Sequence, residues 1–407
     1  MMRSLFAGVS GLRNHQIRMD VIGNNIANVN TMGFKAGRVS FQEVFNQTIR
    51  GASSALGNRG GTNPQQVGLG MNVGSIDTLQ TQGNLQLTGK MTDMAIQGNG
   101  FFVLNSGAGL VYGRAGNFDL DANGWLTNPG NGMKVMGWMA NTNGVLPVTD
   151  ESNLSELRIP VGQPIAGKAT TQVVYSQNLD SRTAAGSSWV TSVGVYDEKG
   201  ATHAVTVTFT RTGTPNQWDW SASGTGVTGS GIVTFNPDGS YASMTGGPIV
   251  VDLTAEGTTD ISFGLDLGRM TQGAEPSTAS AVERDGYPMG SLETFTIDAS
   301  GTITGVFSNG LNQKLGQIAV CSFSNPGGLL RQGDNVYVES NNSGLRQIGQ
   351  AGTGGRGIIA PGSLEMSNVD LSLQFTDMII TQRGFQANSR IITTSDEMLQ
   401  ELVNLKR

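Results

Sequence analysis

The sequence is poor in the residues on which most active sites depend. Among its 407 residues stand one cysteine, Cys321, and two histidines, His15 and His203. A single thiol excludes an intrachain disulfide and every zinc pattern built on several cysteines. Two isolated imidazoles leave little material for metal ligation or a histidine-dependent triad. Aromatic residues make up 6% of the chain and charged residues 14%, the latter well under ordinary usage. Neither a base-stacking platform nor a long acidic or basic tail is expected. The net charge of −6 argues against a nucleic-acid partner, whose affinity comes from clustered positive charge. No run of about 18 apolar residues occurs, so no membrane insertion is expected. The apolar stretch at the N-terminus breaks at Gly8 and Ser10, too short for the core of a cleaved signal peptide.

Glycine, by contrast, is abundant, with 59 copies, roughly twice the ordinary share. Turns and close backbone contacts must be frequent. The length allows two to three domains. The two ends read as helices. Leu5, Val9, Leu12, Met19, Ile22, Ile26 and Val29 recur at steps of three and four, with Gln16 filling the gap. At the other end Val369, Leu373, Ile380, Ala387, Ile391, Met398, Leu402 and Leu405 continue the same spacing from Met366, through Thr376 and Thr394. Ser367 and Asp370 resemble a capping box, and Lys406 and Arg407 suit the negative end of the helix dipole. Such a helix would be about 60 Å long, too long for a compact globule of this size. The alternative is a two-helix stalk closed within one molecule, but that would leave apolar residues off the seam, Phe6, Ile17, Val21, Phe375, Ile379 and Phe385, uncovered, and these imply neighbouring chains.

Residues 31 to 70 read as a loop-like linker rich in Gly, Asn and Ser, including Asn58 and Arg59. From about 71 to 360 the period changes to two. Between Thr202 and Thr210, Val205, Val207 and Phe209 share one face and threonines the other. A turn of the form Asp/Asn-x-x-Gly recurs at Asp121, Asp197, Asn236 and Asp298, each predicting a hairpin. The expected fold is α+β and multidomain. Terminal helices with their linker (1–70 and 361–407) form a coiled-coil-like inner domain. Residues 71–144 and 286–360 form one outer all-β domain, and 145–285 form a second inserted into the first.

Short motifs favour plain structure over chemistry. Asp119 to Gly124 opens like a calcium loop, but Gly130 stands where a bidentate Glu should close it, so a hairpin turn is expected. Gly162 to Lys168 has phosphate-cradle spacing, yet Ala169 replaces the hydroxyl and a strand follows. Gly352 to Gly357 has dinucleotide spacing outside any strand-to-helix unit and reads as a flexible connector. Asp197 and Glu198 could be paired acids, but adjacent residues on a strand point apart. No cofactor, metal site or catalytic residue is expected.

Two longer motifs are more specific. Gly11-Leu12, then Asp20 to Asn28 and Gly33-Phe34-Lys35, resemble the N-terminal end of the bacterial flagellar rod and hook family. Ser367 to Leu371, then Gln382 to Asn388, resemble the same family's other end. Met94 to Phe102, Tyr112 to Phe118 and Gly333-Asp334-Asn335 are similar to its inner region. The resemblance is weaker over about 145 to 285. Rod members usually lack so large an insert, so length points to the hook branch. The stretch near 46 to 66 also resembles rod proteins, and the distal rod branch is the alternative.

The resemblance implies a helical homopolymer, with the terminal helices lining a channel and the β-domains outward, working as a flexible joint that transmits torque. It implies as partners the distal rod protein, the hook cap, the hook–filament junction proteins and the flagellar type III export apparatus. It also implies a place outside the cell, on the flagellum, reached without a cleaved signal. Phe41 and Phe45 look like a paired-phenylalanine motif read by the export gate. Two Phe four apart on one helix face would equally be core packing.

Overall fold

A computed structural model describes residues 2–54, 57, 60–142, 144–254 and 257–405. Two helices stand at the ends, α1 (Met2–Ala27) and α2 (Leu371–Asn404), and what lies between is mostly β. The 34 residues of α2 span about 50 Å. Asp370 caps α2, accepting from the backbone N–H of Ser372 and Leu373. The expected capping box at Ser367 does not form. Asn368 ties the preceding residues to other segments, accepting from Ala36 N–H and donating to Leu79 and Thr81 carbonyls, so the chain stays extended until Asp370. Lys406 and Arg407, expected to complement the dipole, lie outside the described residues, as do Asn58 and Arg59 of the linker.

The linker is more ordered than its composition suggests. Strand Gly37–Glu43 pairs antiparallel with Met71–Thr78, and Asn46–Arg50 with Gln65–Gly68. Polar pairs cross both ladders, beside the apolar pairs Val39–Ile76 and Phe41–Val73 of the first. The Ser40 and Ser75 hydroxyls lie 2.6 Å apart, and Gln66 donates to Thr48. Backbone ladders and polar pairs supply much of the pairing, so hydrophobic periodicity is a weak signal for these strands.

The chain folds into two compact units, the first comprising Met1–Ile159, Thr296–Ile303 and Lys314–Arg407, the second Pro160–Phe295 and Thr304–Gln313. In the first, strands Asn312–Ser322, Lys134–Met139, Phe101–Asn105, Leu110–Gly113, Val336–Val338 and Leu330–Gly333 lie side by side. Phe101, Tyr112, Trp138, Cys321, Phe323 and Tyr337 pack together as its core. Burial pushes the Cys321 thiol up to about 12, so it acts as a small hydrophobe. In the second unit two five-stranded sheets contribute to one shared core. Val205, Val207 and Phe209 are fully buried in it while the intervening threonines are not.

All four expected Asp/Asn-x-x-Gly turns form. The Gly124, Gly200, Gly239 and Gly301 N–H groups bond the carbonyls of Asp121, Asp197, Asn236 and Asp298 at 2.9–3.0 Å. Each glycine has φ between 79° and 85°, where a side chain would be strained. Gly162 to Lys168 contains the short strand Pro164–Ile165, and Lys168 pairs with Asp285. Gly352 to Gly357 is a turn closed by backbone bonds, Gly352 to Gly357 and Arg356 to Thr353, where the sequence suggested a flexible connector.

Asp285 fastens the second unit's first long strand. Burial pushes its carboxyl up, but hydrogen bonds from the Thr171 hydroxyl, the Gln172 and Thr171 backbone N–H groups and the Lys168 ammonium outweigh this and bring it down to about 2. Its folded-state value is thus below the ordinary value of 3.8. The unfolded chain takes up the proton first as pH falls. The resulting stability is complete above pH ~4 and is lost between about 4 and 2. Asp285→Asn should flatten this acid limb of the second unit's unfolding, measured by tryptophan fluorescence against pH.

Candidate self-assembly interface

Within the first unit α1 and α2 pack antiparallel, and the contact is made mainly by small and polar residues, with Ile391 and Ile392 against Gly8. The buried positions of α1 are Gly8, Gly11, Asn14, Ile22 and Asn25, and those of α2 are Thr381 and Ser395. A methyl group on Gly11 would meet the Asn388 side chain at 2.6 Å, and one on Gly384 would meet the His15 ring at 2.7 Å. Glycine is what allows these polar side chains between the helices. Arg18 pairs with Asp377 at 2.9 Å. Asn25 donates to Gln374 and to the Gly37 carbonyl, and accepts from Gly37 N–H. Burial, then the neighbouring Arg18 charge, holds His15 below its ordinary value. The ring lies edge-on to Phe41.

Apart from Ile391, which lies beside Gly8, most of the apolar seams read from the sequence fall elsewhere. On α1 Ile22 is buried, Leu5, Leu12, Met19 and Ile26 are partly covered, and Val9 is exposed; Val29, just beyond the helix, is partly covered. On α2 Leu373, Ile380, Ala387, Ile391, Met398 and Leu402 are exposed, as is Leu405 at its end; Val369, ahead of the helix, is partly covered. Ile380 keeps 55% of its surface. Phe6, Phe375, Ile379 and Phe385 are exposed as well. Phe41 lies in strand Gly37–Glu43 and Phe45 just beyond it, 76% exposed, so the two share no helix face.

The sequence carries this seam as small and polar residues at Gly8, Gly11, His15, Arg18 and Asn25, with the apolar Ile22 filling the gap so that the steps are again three and four.

A buried charge cluster fixes the bases of both helices. The Glu365 carboxylate meets Lys35 Nζ at 2.6 Å and Arg114 Nη1 at 3.1 Å, with Lys35 and Glu365 side chains wholly buried. Gly83 N–H donates to the same carboxylate, and Gly33 N–H to the Glu365 carbonyl. Lys35 also donates to Thr81, and Arg114 to the Ile96 and Gly98 carbonyls. Burial lowers the Lys35 ammonium, and the Glu365 charge opposes that shift. Gly33, at φ 67°, brings the chain so close that a side chain would strike the Ala115 N–H at 2.6 Å.

Four family models match in chain order. They are Flagella basal body rod protein (residues 5–35), Flagellar hook protein FlgE/F/G D1 domain (95–173), Flagellar basal body protein FlaE D2 domain (165–287) and Flagellar basal body rod FlgEFG protein C-terminal (360–405). Together they define an axial protein of the flagellar rod and hook class. The chain is 46% identical to the flagellar hook protein FlgE of Borreliella burgdorferi and 45% identical to that of Treponema pallidum, each over 100% of both chains. It is 34% identical to the flagellar basal-body rod protein FlgG of Bacillus subtilis, also over 100% of both. The chain belongs to the flagellar hook protein family. The hook branch is thereby favoured over the distal rod alternative. A crystal structure of Helicobacter pylori FlgE2 shares the fold, with a TM-score of 0.56 and 16% identity over 69% of this chain and 100% of that one.

Glu365→Gln would leave Lys35 and Arg114 buried without their counter-charge. Removing one partner of a buried pair costs about 3–5 kcal/mol. Calorimetry of the variant should show the first unit's transition lowered by that amount and the second unit's unmoved.

Proposed function

We propose that identical copies of this chain assemble through their helix faces into a helical tube, the flagellar hook. The tube is flexible and works as a universal joint carrying torque from rod to filament. The exposed faces of the helix pair carry this reading. Because the intrachain seam is polar, Leu373, Ile380, Met398 and Leu402 remain uncovered. Covering the half of each that is still exposed would contribute about 1 kcal/mol, repeated at every subunit. Leu5, Val9, Leu12, Met19, Ile26 and Val29 supply the matching surface at the other end of the chain, and Ala387, Ile391 and Leu405 extend it.

The role is structural rather than catalytic. Asp197 is buried in its turn, accepting from Ala201 N–H, while Glu198 is exposed and accepts from Thr259. The two carboxylates are held apart in environment and partner. The tube sits outside the cell on the basal body, between the distal rod protein and the hook–filament junction proteins, and grows beneath the hook cap. Subunits reach it through the type III export apparatus without signal cleavage, with Phe41 and Phe45 as the gate-recognised pair.

Two variants test this reading. Ile391 lies beside Gly8 in the intrachain seam, so a charge there would disturb both the pair and the polymer. Ile380 is free of that ambiguity. Ile380→Asp should abolish tube formation, seen by electron microscopy after salt precipitation, while shifting subunit unfolding by less than about 0.5 kcal/mol, as surface substitutions do. A destabilised subunit that still forms normal tubes would refute the assembly face. Phe45→Ser, at an exposed position, should leave folding unchanged and reduce the secreted hook protein in a culture; undiminished secretion would remove Phe45 from the export signal.

A further inference from the structure

An asparagine followed by glycine can react with its own backbone, because glycine has no Cβ to shield the next N–H from the side chain. The chain has five such pairs, beginning at Asn99, Asn123, Asn131, Asn143 and Asn309. In four of them the fold engages the glycine N–H: Gly124, Gly132, Gly144 and Gly310 bond the carbonyls of Asp121, Asn128, Asn141 and Phe307 at 2.8–2.9 Å. Two of the side chains are held as well. Asn131 and Asn309 Oδ1 accept from Met133 and Leu311 N–H, and Asn309 Nδ2 donates to the Pro288 carbonyl. Asn143 itself lies outside the described residues.

Asn99 differs on both counts. It is exposed, between strands Met94–Gln97 and Phe101–Asn105, and among the described residues neither its side-chain amide nor the Gly100 N–H makes a hydrogen bond. The main chain beside it is tied down. Gly98 N–H donates to Gln82, the Gly98 carbonyl accepts from Arg114, and the Asn99 carbonyl accepts from Gly357 N–H at 2.6 Å. The carboxamide is left free to turn against a backbone nitrogen that nothing else occupies.

We propose that Asn99 is a site of spontaneous deamidation, with water as the only co-reactant. The Gly100 nitrogen gives its proton to solvent base and bonds to Asn99 Cγ, the Cγ–Nδ2 bond breaks, and ammonia leaves with a proton taken from water. Nothing is oxidised or reduced. Water then opens the five-membered imide at either carbonyl: attack at Cγ gives aspartate in the original chain, and attack at the backbone carbon gives isoaspartate, whose main chain is longer by one methylene. Both forms add a negative charge at position 99. Only isoaspartate moves the carbonyl that Gly357 N–H needs.

The full-length subunit is held in heavy-oxygen water at mildly alkaline pH, digested, and read by mass spectrometry. Asn99 should take up heavy oxygen many-fold faster than Asn123, Asn131 and Asn309, and part of the product should accept methyl groups from an isoaspartyl methyltransferase. The same chain unfolded in guanidinium is the reference, in which the four sites should react alike. Uptake at Asn99 no faster than at the other three in the folded subunit, or many-fold slower than in the unfolded chain, overturns the site. The aged subunit should also show the first unit's unfolding temperature lowered by a few degrees. Asn99→Asp, which supplies the charge without the longer chain, should leave that temperature unmoved; an equal loss there overturns the displaced carbonyl as its cause. Asn99→Gln, whose imide would need a six-membered ring, should neither take up label nor lose stability on ageing. An ageing loss that persists in Asn99→Gln assigns it to another residue and overturns the structural consequence.

Discussion

The carboxylate of Glu365 holds three distant segments at one point: the stretch after α1 through Lys35, the β-rich body through Arg114, and the strand before α2. A buried ion pair adds little net stability, because desolvation consumes most of the attraction. Its force lies in what it forbids. Glu365 ends strand Ser363–Glu365, paired with Leu85–Leu87. A slip of one residue would turn the carboxylate to the opposite face and leave two cations buried alone. One register satisfies all three charges, and that register sets where α1 ends and α2 begins.

From this anchor the helix pair follows. Asn368 and Asp370 launch α2 within five residues of Glu365, and Asn25 ties the end of α1 to Gly37, two residues from Lys35. The seam between the helices is then closed by Arg18 with Asp377, Asn25 with Gln374, and the glycines that admit His15 and Asn388. Hydrogen bonds of this kind are worth little each, but they are directional and fix one alignment. The apolar residues play no large part in that alignment, which is why so many of them stay on the surface.

Much of this was legible in the residues. The four Asp/Asn-x-x-Gly turns were, because one backbone conformation demands glycine at the last position. The alternation at Val205, Val207 and Phe209 was, because a half-buried strand writes its burial in period two. The helices were legible, but not which of their faces meet: steps of three and four describe every lengthwise stripe of a helix, and the apolar stripe drew attention from the polar one that makes the contact. The strands within 37–68 were hidden for the converse reason, since polar pairs such as Ser40 with Ser75 and Gln66 with Thr48 stand among few apolar ones. Lys35 and Arg114 stood inside recognisable motifs, yet nothing in sequence announces that both converge on Glu365, 330 residues from Lys35.

The division between a polar seam within the chain and apolar faces outside it has a mechanical consequence. Hydrogen bonds and ion pairs lose their energy over a fraction of an ångström or a modest change of angle, so the α1–α2 pair resists shear. Apolar contact scales with the area kept from water and has no preferred direction. In the proposed assembly, faces such as Leu373, Ile380 and Leu402 would slide over a neighbour and keep most of what they bury. In a tube whose subunits meet through such faces, bending is taken up between copies while each copy holds its own geometry. A seam of the opposite design, apolar within and hydrogen-bonded between, would yield soft subunits locked rigidly to one another, the wrong distribution of stiffness for a joint that must bend as it turns.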